Sequence, residues 1–158
     1  MSVRNVVVGG IYKKNTNKQL TFYEFLILHR ILLWKGWEFP KGGVEKKDRA
    51  EEIALRREIE EETGLKNIRI ITKLPYRIKY KYPKKYSEKY KHSETVQSVY
   101  LVRSFEENVR TTVEHDVHKW LPYEDARKLL THAQQRKALD VAWKFLQGKS
   151  TDEGVVTF

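Results

Sequence analysis

Cysteine is missing from the 158 residues, and its absence excludes disulfides, thiolate catalysis and cysteine-ligated zinc together. The five histidines show no ligand spacing that would replace it. Long apolar runs are missing too. Nothing approaches the ~20 residues that cross a bilayer, and no basic-apolar-small leader opens the chain, so the expectation is a cytoplasmic protein with no membrane partner. Internal repeats and low-complexity tracts are also lacking. Acid is in short supply: 21 aspartates and glutamates stand against 31 lysines and arginines, giving a net charge of +10. Such an excess attracts polyanions such as nucleotides, RNA or acidic membranes, and it serves solubility equally well. The remainder, 40% hydrophobic and 33% charged, is the composition of one soluble globular domain large enough to bury a core.

The scarce acid is concentrated. Arg57-Glu58-Ile59-Glu60-Glu61-Glu62-Thr63-Gly64-Leu65 packs carboxylates at helical spacing directly before a glycine stop. At roughly 100° per residue, Glu58, Glu61 and Glu62 share one narrow sector of a helix while Glu60 points away. Like charges on one stripe repel, and a divalent cation relieves that repulsion. Hard cations such as Mg²⁺ take oxygen ligands from such carboxylates together with substrate phosphates. A solvated helix face paired by Arg56 and Arg57 is the commoner reading of such residues, and taken alone the stripe does not outweigh it.

Around this segment the chain alternates between the two periodicities. Residues 3–12 and 20–30 read as strands joined by a polar turn at 13–18, a hairpin, and residues 34–43 as a loop by their Gly and Pro content. Asp48 is predicted to cap the central helix and Gly64 to end it, with Ile53, Ala54, Leu55 and Ile59 on its apolar side. Residues 68–74, 96–105 and 117–121 read as further strands. Helices are predicted over 122–130 and 131–147, the second capped by Thr131 and ended by Gly148, with Ala138, Val141, Ala142, Phe145 and Leu146 facing inward. Residues 155–158 could add an edge strand. Strands before and after a helix, with helices at the end, predict an α/β fold whose mixed sheet is covered on both faces.

Residues 43–65 resemble the Nudix signature, G-x5-E-x7-R-E-U-x-E-E-x-G-U with U aliphatic. Gly43, Arg57, Glu58, Ile59, Glu61, Glu62, Gly64 and Leu65 hold the required spacing, but Arg49 stands where the first glutamate belongs. Moving the loop half back by one residue puts Gly42 and Asp48 on the pattern instead, leaving one extra residue between Asp48 and Arg57. Trp37-Glu38-Phe39-Pro40-Lys41-Gly42-Gly43 resembles the W-x-F-P-x-G entry found in dinucleoside polyphosphate hydrolases, RNA 5′-pyrophosphohydrolases and mRNA decapping enzymes. Glu114, six residues before Trp120-Leu121, resembles the element that brings a further glutamate to the metal in these enzymes.

The resemblance implies an α/β/α sandwich over residues 1–148, with 149–158 as a tail, and Mg²⁺ as cofactor with Mn²⁺ as a substitute. It implies metal ligation by Glu58, Glu61, Glu62, Glu114 and the backbone carbonyl of Lys41. The catalytic set is then Glu58, Glu62, Glu114 and Arg57, with Glu114 or Glu62 taking the proton of the attacking water and Arg57 orienting the acids. Arg30 and His115 are candidate contacts to phosphate or base.

Residues 73–92 interleave lysines with tyrosines and carry almost no acid. Lys79 and Lys81 would neutralise phosphates, while Tyr76, Tyr80 and Tyr82 offer stacking faces of ~1–3 kcal/mol per base. The bland alternative is a mobile, solvated loop. Tetraphosphate-cleaving relatives often carry a lysine just before the strand at 96–102, where this chain has Glu94, Thr95 and Gln97.

A pyrophosphate linkage is inert in water because its charged oxygens repel nucleophiles, so clustered carboxylates with a divalent cation suit its hydrolysis. The first expectation is a hydrolase of dinucleoside polyphosphates such as diadenosine tetraphosphate. The alternatives are an enzyme acting on the 5′ end of RNA and a nucleotide-binding module that has lost catalysis, the last favoured only by the extra residue before Arg57.

Overall fold

The computed structural model describes residues 2–17 and 19–151. In chain order the elements are β1 (Ser2–Asn17), β2 (Leu20–Arg30), β3 (Gly36–Glu38), β4 (Lys41–Gly43), α1 (Glu51–Thr63), β5 (Ile68–Lys81), α2 (Lys84–Tyr90), β6 (His92–Ser104), β7 (His115–Leu121), α3 (Tyr123–Leu129) and α4 (Ala133–Thr151). Among the described residues the strands form one sheet in the order β3-β2-β1-β6-β5, with β4 paired to β1 and β7 to β2. The β1–β6 pair is parallel and the other pairs are antiparallel, which makes the sheet mixed as expected.

Both faces of the sheet are covered. Val7, Ile11, Leu26, Leu28, Tyr100 and Val102 meet Ala54, Leu55 and Ile59 of α1 on one face. Val6, Val8, Phe25, Ile27, Val99 and Leu101 meet Ala126, Ala138, Leu139, Ala142 and Leu146 of α3 and α4 on the other. This explains why Phe25-Leu26-Ile27-Leu28 reads as a continuous apolar run, since successive side chains go to opposite faces and each finds a core.

Three boundaries differ from the sequence reading. The polar turn assigned to 13–18 is strand through Asn17, because β2 supplies partners as far as Leu20. The loop at 34–43 contains the short strands β3 and β4. The lysine- and tyrosine-rich stretch is no loop: β5 continues to Lys81, α2 turns the chain, and β6 pairs back along it.

The capping assignments also shift. Ala50 precedes α1 without any side-chain cap, because Asp48 is drawn to Arg57 instead. Gly64 ends α1 as expected, at φ 77°, a left-handed conformation that costs glycine no Cβ clash. Ile53 is exposed rather than apolar-side. Thr131 accepts a hydrogen bond from the Trp37 backbone instead of capping α4, which runs on to Thr151. The edge strand expected at 155–158 lies outside the described residues.

Candidate active site

The acids of α1 are held against β4. Arg57 is the organiser: its Nη1 donates to Glu58 (2.7 Å) and approaches Glu61 (3.4 Å), and its Nη2 donates to Asp48 (2.7 Å) and to the Gly43 carbonyl (3.1 Å). Asp48, and not residue 49, is therefore the acid that answers Arg57, and the extra residue is taken up before α1 begins. Glu58 comes so close to β4 that a Cβ on Gly42 would lie 1.9 Å from its carboxyl carbon. Burial pushes the Glu58 carboxyl up, and Arg57 pulls the other way. Glu60 points away, toward Lys66.

Glu62 lies deeper. Its Oε1 accepts from the Lys41 backbone N–H at 2.7 Å, while its Oε2 is buried without a partner. Burial first, then the nearby charges of Glu38, Glu114 and Glu58, push its carboxyl up to about 9 against the pull of that single bond. One oxygen each from Glu62 and Glu114 and one nitrogen of His115 lie within 4.8 Å of one another.

Behind Glu62 sits a second layer. The carboxylate of Glu38 is fully buried and bound by Arg30 Nη1 (3.1 Å) and His115 Nε2 (2.9 Å), with Lys41 Nζ at 3.4 Å. Burial opposes its ionisation, yet the His115 bond and the Lys41 and Arg30 charges outweigh it and hold the carboxyl down at about 2. An ionised carboxylate only accepts, so His115 carries a proton on Nε2, and its Nδ1 is turned toward Glu62 Oε2, 3.6 Å away.

Residues 3–142 match the family described as NUDIX domain. An RNA pyrophosphohydrolase of a Nitratiruptor species is 36% identical over 129 residues, which cover 78% of each chain. The chain belongs to the Nudix family. A bis(5′-nucleosyl)-tetraphosphatase of Rattus norvegicus is 27% identical over 126 residues, 80% of this Nudix chain and 82% of that protein. Among solved structures, an Ap4A hydrolase of C. elegans superposes with a TM-score of 0.72 at 25% identity, over 92% of this chain and 99% of its own. The Nudix α/β/α sandwich and a hydrolase acting on phosphoric anhydrides follow.

The acids fit a divalent cation on their own chemistry. An unpartnered buried carboxylate oxygen on Glu62, pushed up by burial and by the neighbouring carboxylates, is what a hard cation would correct. Glu114 offers a further oxygen within 4.8 Å of one on Glu62.

The other residues singled out from the sequence divide. Arg30 donates to Glu38 and to the Leu32 carbonyl, with Glu114 3.9 Å away. His115, a candidate contact to phosphate or base, is buried behind Glu62 and its side chain offers no surface. Tyr76 packs on the α4 side of the core, strand alternation puts Tyr80 on that face too, and the Tyr82 ring, just past β5, lies edge-on to Tyr80 at 5.6 Å.

Lys79 and Lys81 lie on the α1 face. Their partners Val96 and Glu94 keep step with Ser98, whose hydroxyl donates to Glu51 of α1. The interleaved lysines and tyrosines therefore part to opposite faces, and they do not line one surface together. The sequence reading missed Glu38 altogether, because it occupies the variable position of W-x-F-P and a three-residue strand gives too short a pattern to reveal a buried acid.

Proposed function

We propose that this Nudix hydrolase removes phosphate from the 5′ end of RNA in the cytoplasm, using Mg²⁺ or Mn²⁺. The observation that carries this reading is the placement of Lys79 and Lys81 on the α1 face, on the hairpin arm that leaves the sheet beside the acids. Where β6 begins, His92 joins Arg4, Glu45 and Glu58 around a groove of about 270 Å³, so a strand leaving the acids meets the arm next. Phosphates beyond the first would be neutralised there, which a short dinucleotide does not need. The 36% identical relative is itself named an RNA pyrophosphohydrolase. Hydrolysis of diadenosine tetraphosphate, first in the sequence reading, is the second reading, favoured by likeness to the C. elegans Ap4A hydrolase.

In this reading Glu58, Glu61, Glu62, Glu114 and the Lys41 carbonyl hold the cation, which when bound neutralises phosphoryl charge and lowers the pKa of water. Arg57 fixes the directions of Glu58 and Glu61, and Asp48 fixes Arg57. Glu114, 41% exposed at its side chain, is the acid that can take a proton from water and return it to solvent; Glu62 is too deep to do so. Glu38 and His115 back Glu62 and keep its carboxylate facing the site.

Glu61→Gln tests the assignment. Loss of phosphate release from 5′-triphosphorylated RNA with an unchanged circular dichroism spectrum is expected; unaltered turnover would remove the acids from the mechanism.

A further inference from the structure

A second groove, of about 640 Å³, opens at the other end of the strands and on the other face of the sheet, beside the last turns of α4. Lys14, Tyr23, Arg69, Arg103 and Leu146 line it, with Tyr12 at its base. Arg103 pairs with both Tyr12 and Arg69, whereas Gly43 of the active site pairs with Val6. The strand between the two levels measures about 20 Å at ~3.3 Å per residue. The grooves share no residue.

No acid lines this groove. Among the described residues Lys14, Arg69 and Arg103 have no carboxylate partner, although three such cations around one space repel one another. Arg103 adds a sharper sign: its Nε is buried with no hydrogen-bond acceptor while the guanidinium lies 4.5 Å over the Phe105 ring. A buried donor without an acceptor is rare and costly in a native fold. The Tyr12 phenol feels the same field, burial pushing it up while Arg103 and Arg69 draw it down.

We propose that this groove is a second binding site, which takes a compact polyphosphate such as pyrophosphate or the phosphate chain of a nucleotide. Several charged acceptor oxygens in one small group satisfy the unmet Arg103 donor and the two other cations at once, and arginine pairs are the preferred partners for such oxygens. A single-stranded nucleic acid fits less well. Sites for single strands offer exposed rings along an open track, whereas here the Tyr12 ring is buried at 6% exposure and packed edge-on to Tyr23 at 5.5 Å, and Leu146 of α4 borders the space.

The test is calorimetric titration of the full chain with inorganic pyrophosphate in EDTA, where metal-free acids repel the anion from the active site. One equivalent should bind, Glu62→Gln should leave the affinity unchanged, and Arg69→Ala or Lys14→Ala should each weaken it at least tenfold. Lys14 and Arg69 are exposed, so both variants should melt like the parent and hydrolyse substrate normally. Absence of binding, affinity that ignores both substitutions, or loss of affinity in Glu62→Gln would each overturn the site. So would an oligoribonucleotide with a 5′-hydroxyl that binds through Lys14 and Arg69 more tightly than pyrophosphate does. The hydrolase reading stands or falls separately, since turnover decides it and these affinities do not.

Discussion

Glu62 and Glu38 are neighbours with opposite electrostatic fates, and each fate has a consequence that can be measured. Glu62, pushed up to about 9, is protonated in the metal-free protein at neutral pH and ionised in the unfolded chain. Its contribution to stability is complete below its ordinary value of 4.5 and is lost as pH rises toward and through about 9. The melting temperature in EDTA should therefore fall across that window. Glu62→Gln should flatten the fall, raise the melting temperature at pH 7 and abolish the rise that Mg²⁺ gives to the parent. Cation binding at pH 7 should also release close to one proton, read from titrations in buffers of different ionisation enthalpy.

Glu38, held at about 2, behaves in the reverse sense: its contribution is present above 4.5 and is lost as pH falls through about 2. Removing it strands Arg30, Lys41 and His115 around an empty position. Glu38→Ala should cost about 3 kcal/mol in urea denaturation, the usual loss for breaking a buried charge pair.

At the scale of the element, the joint between β4 and α1 decides whether the acids converge. A methyl on Gly42 would displace the Glu58 carboxylate, the mobile end of a long side chain, and would leave the backbone in place. Gly42→Ala should thus keep the fold and lose turnover by about 100-fold, in line with the cost of a misplaced group at a reacting centre. The inserted residue gives a paired prediction, read as kcat: Asp48→Ala should fall about tenfold while Arg49→Glu changes nothing, because Arg57 already has its acid at 48. Recovery of activity by Arg49→Glu in the Asp48→Ala background would show that the register is the other one.

The same joint shows what was legible in the sequence. α1 could be read from the spacing of its apolar and acidic residues, its stop from Gly64, and the strand at residues 20–30 from its unbroken apolar run. The glutamate stripe could be read because spacing alone places it. Thr131, Asp48 and Arg30 could not, because each is claimed by a partner on another element, respectively the Trp37 backbone, Arg57 and Glu38. The burial of His115, singled out as a candidate contact, could not be read for a like reason: β7 pairs with the end of β2 and sets it behind Glu62.

At the scale of the whole molecule, a net charge of +10 is spread over separate surfaces. The arm bearing Lys79 and Lys81 adjoins the acids, and Lys14, Arg69 and Arg103 gather at the opposite end. If the arm carries RNA phosphates, Lys79→Ala with Lys81→Ala should raise KM for an oligoribonucleotide several-fold at constant kcat. The same pair should lower the salt slope of binding by about 1.4, roughly 0.7 for each phosphate contact removed from a single strand. Turnover of diadenosine tetraphosphate should be unaffected.

The most direct measurement is a competition in Mg²⁺ between equimolar 5′-triphosphorylated oligoribonucleotide and diadenosine tetraphosphate, with products separated by chromatography. Monophosphorylated RNA with released phosphate or pyrophosphate appearing first is the predicted result; ATP and AMP appearing first, with the RNA end intact, would contradict it.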